Sequence, residues 1–348
     1  MTSRERVITA LERREPDRVP MFEPIIDPKV IEGALPGGTY EELSELLGDD
    51  CIGLNRSSWD KSKMDFIDRE KGLFRDRWGV IRALGSEAAP YPVEAAVKRY
   101  EDLKDWSPPD PADPTVYGHL PELAAKYKGK KAIVFMGRDA FFNPAHVRGV
   151  EDFLMDMILN PPFVHELIEM CLEYDLEVVR RAVGMGADVI VFGDDYADKN
   201  TSFMSPQHFR EFIFPRLKRA IQNAHDHGAY VIKHTDGNIW SIIDQIVEAG
   251  PDGLNPLEPV AGMDLGKVKQ LYGDRVALVG NIDCGRLLSW GTPAEVRETV
   301  RQAIAVAGPG GGYLVSSSNS IHSSVDPRNL FAMAEAVKEF GQYPLQLN

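Results

Sequence analysis

His234 and Asp236 are separated by one residue in the segment His234-Thr235-Asp236-Gly237-Asn238. Residues two apart in an extended backbone project to the same face, so an imidazole and a carboxylate are expected side by side. Such a pair can ligate a metal, or act as an acid–base couple in which the carboxylate orients the ring. A purely structural pairing, or an Asx turn at Asp236-Gly237, would use the same residues. Asp194 and Asp195 are adjacent, which directs them to opposite faces. One can be an acceptor or general base in a cavity while the other caps the following loop. Arg138 can clamp a substrate carboxylate through two parallel hydrogen bonds, or pair with Asp139 or Asp195. Glu258, in a loop stiffened by Pro256 and Pro259, is a candidate metal ligand or a partner for Arg138. Asn281, Asn319 and His322 can supply hydrogen bonds or ligands.

These polar groups follow short apolar runs that read as strands: Ala132 to Met136, Asp188 to Phe192, Tyr230 to Lys233, Gly253 to Asn255, Val276 to Val279 and Tyr313 to Ser316. Two weaker runs precede them, Arg18 to Phe22 and Cys51 to Leu54. Strands alternating with helical stretches imply βαβ units and a parallel sheet, open or closed, and eight is the barrel number. The expected fold is α/β, a (β/α)8 TIM barrel over a single domain, residues 1–348, with an N-terminal helical and hairpin insertion. Helices are expected at Ser3 to Arg13, at Tyr40 to Leu47, from Asn160-Pro161-Pro162 toward Val183, and after the Ser-Pro and Thr-Pro starts at Ser205 and Thr292. The alternation from Gly72 to Arg82 predicts a hairpin.

In a parallel barrel the C-terminal strand ends open into the active-site loops. Glu23, Asn55, Arg56, Arg138, Asp139, Asp194, Asp195, His234, Asp236, Glu258, Asn281, Asn319 and His322 all fall there. Most are therefore expected around one pocket, with Phe141, Phe142 and Tyr196 supplying an apolar rim. Gly308 to Gly312 precedes a strand rather than following one, the wrong order for a phosphate-cradling loop, and no Walker, GxSxG or HExxH motif occurs.

The chain has 348 residues, 43% hydrophobic and 26% charged, ordinary for a globular protein with a large core. Its apolar runs are far shorter than the roughly 20 residues that span a bilayer, and its charged opening lacks a signal-peptide core, so a cytoplasmic location off the membrane is expected. With 53 acidic against 39 basic residues the net charge is −14, which opposes nucleic acid as a partner. Cys51, Cys171 and Cys284 are widely spaced, so neither a disulfide framework nor a thiolate zinc knuckle is indicated.

As a set, the opening Ser3-Arg4-Glu5-Arg6-Val7 to Glu15-Pro16-Asp17-Arg18-Val19-Pro20, Gly193-Asp194-Asp195 with Ser205-Pro206, His234-Thr235-Asp236-Gly237-Asn238, Gly262-Met263-Asp264-Leu265, Val279-Gly280-Asn281-Ile282-Asp283 and Gly311-Gly312-Tyr313 resemble the uroporphyrinogen decarboxylase superfamily. The resemblance covers essentially the whole chain and implies a (β/α)8 barrel with a deep pocket. True decarboxylases carry Arg-Gln-Ala-Gly-Arg-Tyr after the first strand, where this chain reads Glu23-Pro24-Ile25-Ile26-Asp27-Pro28. The superfamily's zinc methyltransferases acting on coenzyme M carry His-x-Cys at the fifth strand and a Cys at the eighth. Here His234 and Asp236 match the first pair with Asp for Cys, and Asn319 stands in place of the last Cys.

The resemblance thus implies a corrinoid-dependent methyltransferase moving a methyl group from a small substrate, such as an aryl methyl ether, to the corrinoid of a partner protein. Zinc on His234 and Asp236, completed by Glu258 or His322, is the implied metal site, with Asp194 and Asp195 in catalysis. Glu23, Arg138, Tyr196, Asn281, Asn319 and His322 are the implied substrate contacts, and a homodimer is compatible with this barrel type. The alternatives are a decarboxylase of the uroporphyrinogen type, or a barrel that binds a tetrapyrrole or corrinoid without catalysis.

Overall fold

The computed structural model describes residues 1–53, 64–85 and 90–346; Leu54, Asn55 and Arg56 lie outside them. Strand β1 (Cys51–Gly53) is followed by four short strands, β2 (Asp65–Asp68), β3 (Leu73–Arg75), β4 (Ile81–Ala83) and β5 (Tyr91–Glu94). Six more follow: β6 (Ala132–Gly137), β7 (Val189–Phe192), β8 (Tyr230–His234), β9 (Gly253–Asn255), β10 (Ala277–Ile282) and β11 (Tyr313–Ser317). β1 and β6 to β11 make one seven-stranded parallel sheet in sequence order, and β2 to β5 a separate antiparallel sheet. The hairpin expected from Gly72 to Arg82 is β3–β4, turned by Asp76, whose Oδ1 accepts the N–H groups of Trp78 and Val80 at 2.9 and 3.0 Å.

The first expected strand, Arg18 to Phe22, does not form. Pro20 has no N–H to give a ladder, and the segment makes only isolated bridges, one of them Met21 to Val315. It is nevertheless bonded on both sides. Phe22 N–H reaches Val315 C=O and Val315 N–H reaches Pro20 C=O, both at 2.9 Å, while Asp50 N–H reaches Met21 C=O at 3.1 Å.

Alternate residues of the parallel strands enter two different apolar clusters. Val134, Val191, Ile232, Val279 and Leu314 join Phe22 on an inner face. The intervening Phe135, Ile190, Val231, Leu278 and Val315 belong to the larger cluster beneath the surrounding helices. Full burial of each such side chain contributes about 1.5–3 kcal/mol, so the alternation fixes which way every neighbouring polar residue must point. Helix Ser3–Leu11, begun by a Thr2–Glu5 capping box, adds Val7, Ala10 and Leu11 to the inner cluster. It lies against the N-terminal strand ends: Arg4 N–H bonds Lys130 C=O just before β6, Arg4 Nε bonds Asp188 just before β7, and Arg6 Nη1 bonds Asp50 just before β1.

Helix Pro161–Gly184 starts at the expected Asn160-Pro161-Pro162. Ser205 caps its helix by accepting His208 N–H at 3.1 Å, but that helix widens to a π turn over Phe209–Ile213 before Phe214–Asp226. Pro215 explains the change, since it cannot donate to the carbonyl four residues back; that carbonyl, of Glu211, takes Arg216 Nη1 at 3.2 Å instead. Among the described residues no helix is long and apolar enough to cross a membrane.

Candidate metal and substrate site

The inner-face alternation continues past the strand ends: Val134 leads to Met136 and Arg138, Val191 to Gly193 and Asp195, Ile232 to His234 and Asp236, and Val279 to Asn281. His234 pairs in register with Asn255 of β9, so their side chains share that face. Asn255 Nδ2 donates to Val279 C=O at 3.0 Å, which turns its Oδ1 toward His234 Nδ1 at 2.6 Å. Nδ1 therefore carries a proton toward Asn255, and in the neutral ring Nε2 is the nitrogen with the free lone pair.

Nε2 faces two carboxylates, with Asp195 Oδ1 at 3.6 Å and Asp236 Oδ1 at 3.5 Å. Asp195 Oδ1 also accepts Asp236 N–H at 2.9 Å, and Asp236 Oδ2 accepts Asn319 Nδ2 at 2.6 Å. Asp236 Oδ1 is buried with no hydrogen-bond partner. Burial, with the charges of Asp195 and Glu258, pushes the Asp236 carboxyl up to about 7 against the opposing pull of His234 and Asn319. Three lone-pair atoms, one from each residue and all within 4.8 Å of one another, converge on a point where only a proton or a cation relieves their repulsion. Bonds of about 2.0–2.2 Å in tetrahedral geometry would set ligand atoms about 3.4 Å apart, close to the two separations at Nε2. The donor set fits a divalent ion of the zinc type.

Asp195 takes the position in this cluster that the sequence reading gave to Glu258 or His322. Glu258 Oε2 instead accepts Gly237 N–H at 3.0 Å, and His322 Nδ1 accepts Ser324 N–H at 3.3 Å within its own turn. Asn281 donates through Nδ2 to Leu257 C=O at 3.0 Å, and Asn319 reaches the cluster through Asp236.

The residues between these inner positions form a support on the opposite face. Asp194 is fully buried and its Oδ2 accepts the N–H groups of Phe141 and Phe142, both at 2.9 Å, at the start of helix Phe142–Arg148. Burial works to raise its carboxyl, but Arg138, Lys233 and those N–H groups outweigh it and hold it below the ordinary range. Lys233 Nζ bonds Asp139 Oδ2 at 2.7 Å and Asp194 C=O at 2.8 Å, 4.1 Å from the Tyr196 ring centre. Tyr196 OH donates to Asp139 Oδ1 at 2.5 Å. Burial, followed by the Asp194 charge, raises Asp139 to about 6 despite Lys233. Glu23 is also buried, gripping the N–H and hydroxyl of Ser317, and burial lifts its carboxyl well above the ordinary value.

Tyr196 and Glu23 were expected to meet substrate; the structure turns both away from the inner face and occupies their polar atoms internally. Phe141 is likewise buried, whereas Phe142 is only half-buried. Lys233 is the support residue that strand reading passed over. A lysine inside an otherwise apolar run was its signal, since a buried ammonium demands a counter-charge. Arg138 pairs with Asp194 at 3.4 Å rather than with Asp139 or Asp195, donates to Gly193 C=O, and lies 4.8 Å from the Phe142 ring centre.

Comparison with known proteins matches residues 79–340 to the family model described as uroporphyrinogen decarboxylase (URO-D). Among curated relatives, the uroporphyrinogen decarboxylase of Thioalkalivibrio sulfidiphilus is 25% identical over 191 residues, 52% of this chain and 50% of that protein. The methylated-thiol–coenzyme M methyltransferase of Methanosarcina mazei is 23% identical over 245 residues, 69% of this chain and 63% of that protein. The chain thus spans between half and two thirds of the length of these relatives. A solved methyltransferase structure from Methanosarcina mazei superposes with a TM-score of 0.78 at 21% identity, covering 98% of this chain and 99% of that one, and shares its fold.

Proposed function

The chain belongs to the uroporphyrinogen decarboxylase family, and from that premise we propose that it is a corrinoid-dependent methyltransferase, moving a methyl group from a small methylated substrate, an aryl methyl ether, to the corrinoid of a separate protein. Similarity to both a decarboxylase and a methyltransferase supports an enzyme. The methyltransferase reading gains support from the fold neighbour and from residues 23–28, which carry no arginine to grip a poly-acidic porphyrinogen. We read the chain as one domain and Pro20–Phe22 as the eighth stave of a (β/α)8 barrel, because its hydrogen bonds reach both edges of the seven-stranded sheet.

The observation that carries the proposal is the convergence of Asp195, His234 and Asp236 around the unpartnered Oδ1 of Asp236. These three residues would hold zinc, which when bound supplies Lewis-acid polarisation of the ether oxygen. The chain itself fixes the imidazole tautomer through Asn255 and aims Asp236 through Asn319. Without metal, the Asp236 carboxyl, raised to about 7, is protonated often enough at neutral pH to give its proton to a departing phenolate oxygen. In either case the electron pair of the oxygen–methyl bond would stay on the oxygen, stabilised by the Asp236 proton or by a metal held on Asp195, His234 and Asp236, and the methyl group would pass to a reduced corrinoid acceptor.

The test is elemental analysis of the purified protein, then methyl transfer from an aryl methyl ether to a reduced corrinoid protein with the wild type and His234→Ala. Bound zinc and loss of turnover in a folded variant are expected. Undiminished turnover in His234→Ala would overturn the assignment, and carbon dioxide release from uroporphyrinogen would replace it with decarboxylation.

A further inference from the structure

Arg138, Gly193 and His234 stand side by side at one level of the sheet. Gly137 pairs with Phe192, and Phe192 with Lys233, so the next residue on each of β6, β7 and β8 falls in line. All three belong to the inner-face series. The middle position has no side chain, and a Cβ placed there would come within 3.5 Å of Met136 Cε and 3.6 Å of Arg138 Nη1. Two strand spacings separate the outer positions by about 10 Å between backbones, the reach of one aromatic ring substituted at opposite ends.

The arginine end is built as an anion seat. Nη1 is tied to Gly193 C=O and to Asp194, and the plane rests against Phe142. Phe142 in turn stacks on His146, ring centres 5.1 Å apart. His146 stays neutral, pushed down to about 3 by burial and the nearby Arg82 and Arg138 cations. Nε and Nη2 of Arg138 make no hydrogen bond among the described residues, and 39% of the side chain is open. Those two donors form the fork edge that grips a carboxylate. Arg138 and Lys233 offset Asp139 and Asp194.

We infer that the substrate is an aromatic carboxylate, its acid group held by Arg138, its ring crossing the gap at Gly193 and its reacting substituent reaching His234 and Asp236. This rests on the proposed methyl transfer only for the identity of the reacting substituent; the anion seat stands on its own geometry.

Titration calorimetry with 4-methoxybenzoate and its neutral isostere 4-methoxybenzamide tests it, on the full chain with zinc present. The wild type is expected to prefer the carboxylate by about 10- to 100-fold, the worth of a charged hydrogen-bonded contact. Arg138→Met should erase that preference while Arg138→Lys keeps part of it. Gly193→Val should block both ligands with an unchanged melting temperature. The two contacts an added Cβ at 193 makes among the described residues are at ordinary van der Waals distance, and the backbone there is not left-handed. Equal affinity for the two ligands in the wild type, no binding of either, or a preference surviving Arg138→Met would overturn the inference. A retained preference with no methyl transfer would overturn the proposed reaction and leave the anion seat standing.

Discussion

Asn255 holds the imidazole of His234 in one tautomer: its Oδ1 lies 2.6 Å from Nδ1, and its amide nitrogen is fixed by Val279 C=O at 3.0 Å. An amide in this place does the work that a carboxylate or a carbonyl often does behind a metal-binding histidine. Asn255→Leu removes the acceptor and frees the ring to turn. Zinc affinity is expected to fall about 10- to 100-fold, read by competition against a chromogenic chelator, and affinity equal to wild type would show that the tautomer is set elsewhere.

The raised Asp236 carboxyl makes the metal-free protein sensitive to pH in a defined direction. Its folded value of about 7 lies above the ordinary 3.8, so between the two the folded state binds more protons than the unfolded chain. Stability contributed by the protonated form is complete below the lower value and lost as pH rises through the higher. Glu23 and Asp175, both lifted by burial, act with the same sign. The urea midpoint, measured with chelator present, should therefore decline across this window. Asp236→Asn should flatten the decline in part, and an identical slope in that variant would rule the carboxyl out as its source.

Lys233 and Asp139 are both fully buried. Lys233→Met would leave Asp139 and the neighbouring Asp194 without their shared cation, at a cost of about 3–5 kcal/mol. Adding Asp139→Asn should recover part of the loss, because an amide can be buried without a counter-ion. Denaturant unfolding of the two single variants and the double variant measures the coupling; additive losses would mean the two groups do not act as a pair.

Tyr196 offers a sharper contrast between support and contact. Its hydroxyl is spent on Asp139 and its ring is buried among Phe141 and Phe209. Tyr196→Phe should cost about 1 kcal/mol of stability, the net worth of one hydrogen bond, and leave ligand dissociation constants unchanged. A large rise in the dissociation constant for 4-methoxybenzoate at intact stability would return Tyr196 to the substrate side.

Spacing made His234 and Asp236 legible as a pair, and adjacency made Asp194 and Asp195 legible as a split; the strand period of two carries both readings. The same period, counted from Val191, would also have sent Tyr196 outward with Asp194, but its aromatic character and place after a strand end argued for the rim instead. Glu23 went astray for a related reason: its partner Ser317 lies at the far end of the chain and belongs to no local pattern. Lys233 hid inside an apolar run, and its counter-charge Asp139 is 94 positions away. The Arg18 to Phe22 run, one of the two weaker strand candidates, makes only isolated bridges because Pro20 lacks the N–H a ladder needs. Local periodicity reports the face a residue takes; it does not report which distant group will meet it there.

Helix Ser3–Leu11 seats Val7, Ala10 and Leu11 in the inner cluster and so stoppers the sheet at the ends where its strands begin. Traffic is consequently one-ended. A methyl donor would have to be seated before a bulky acceptor closes the same doorway, so that the methyl group passes directly from the bound donor to the acceptor.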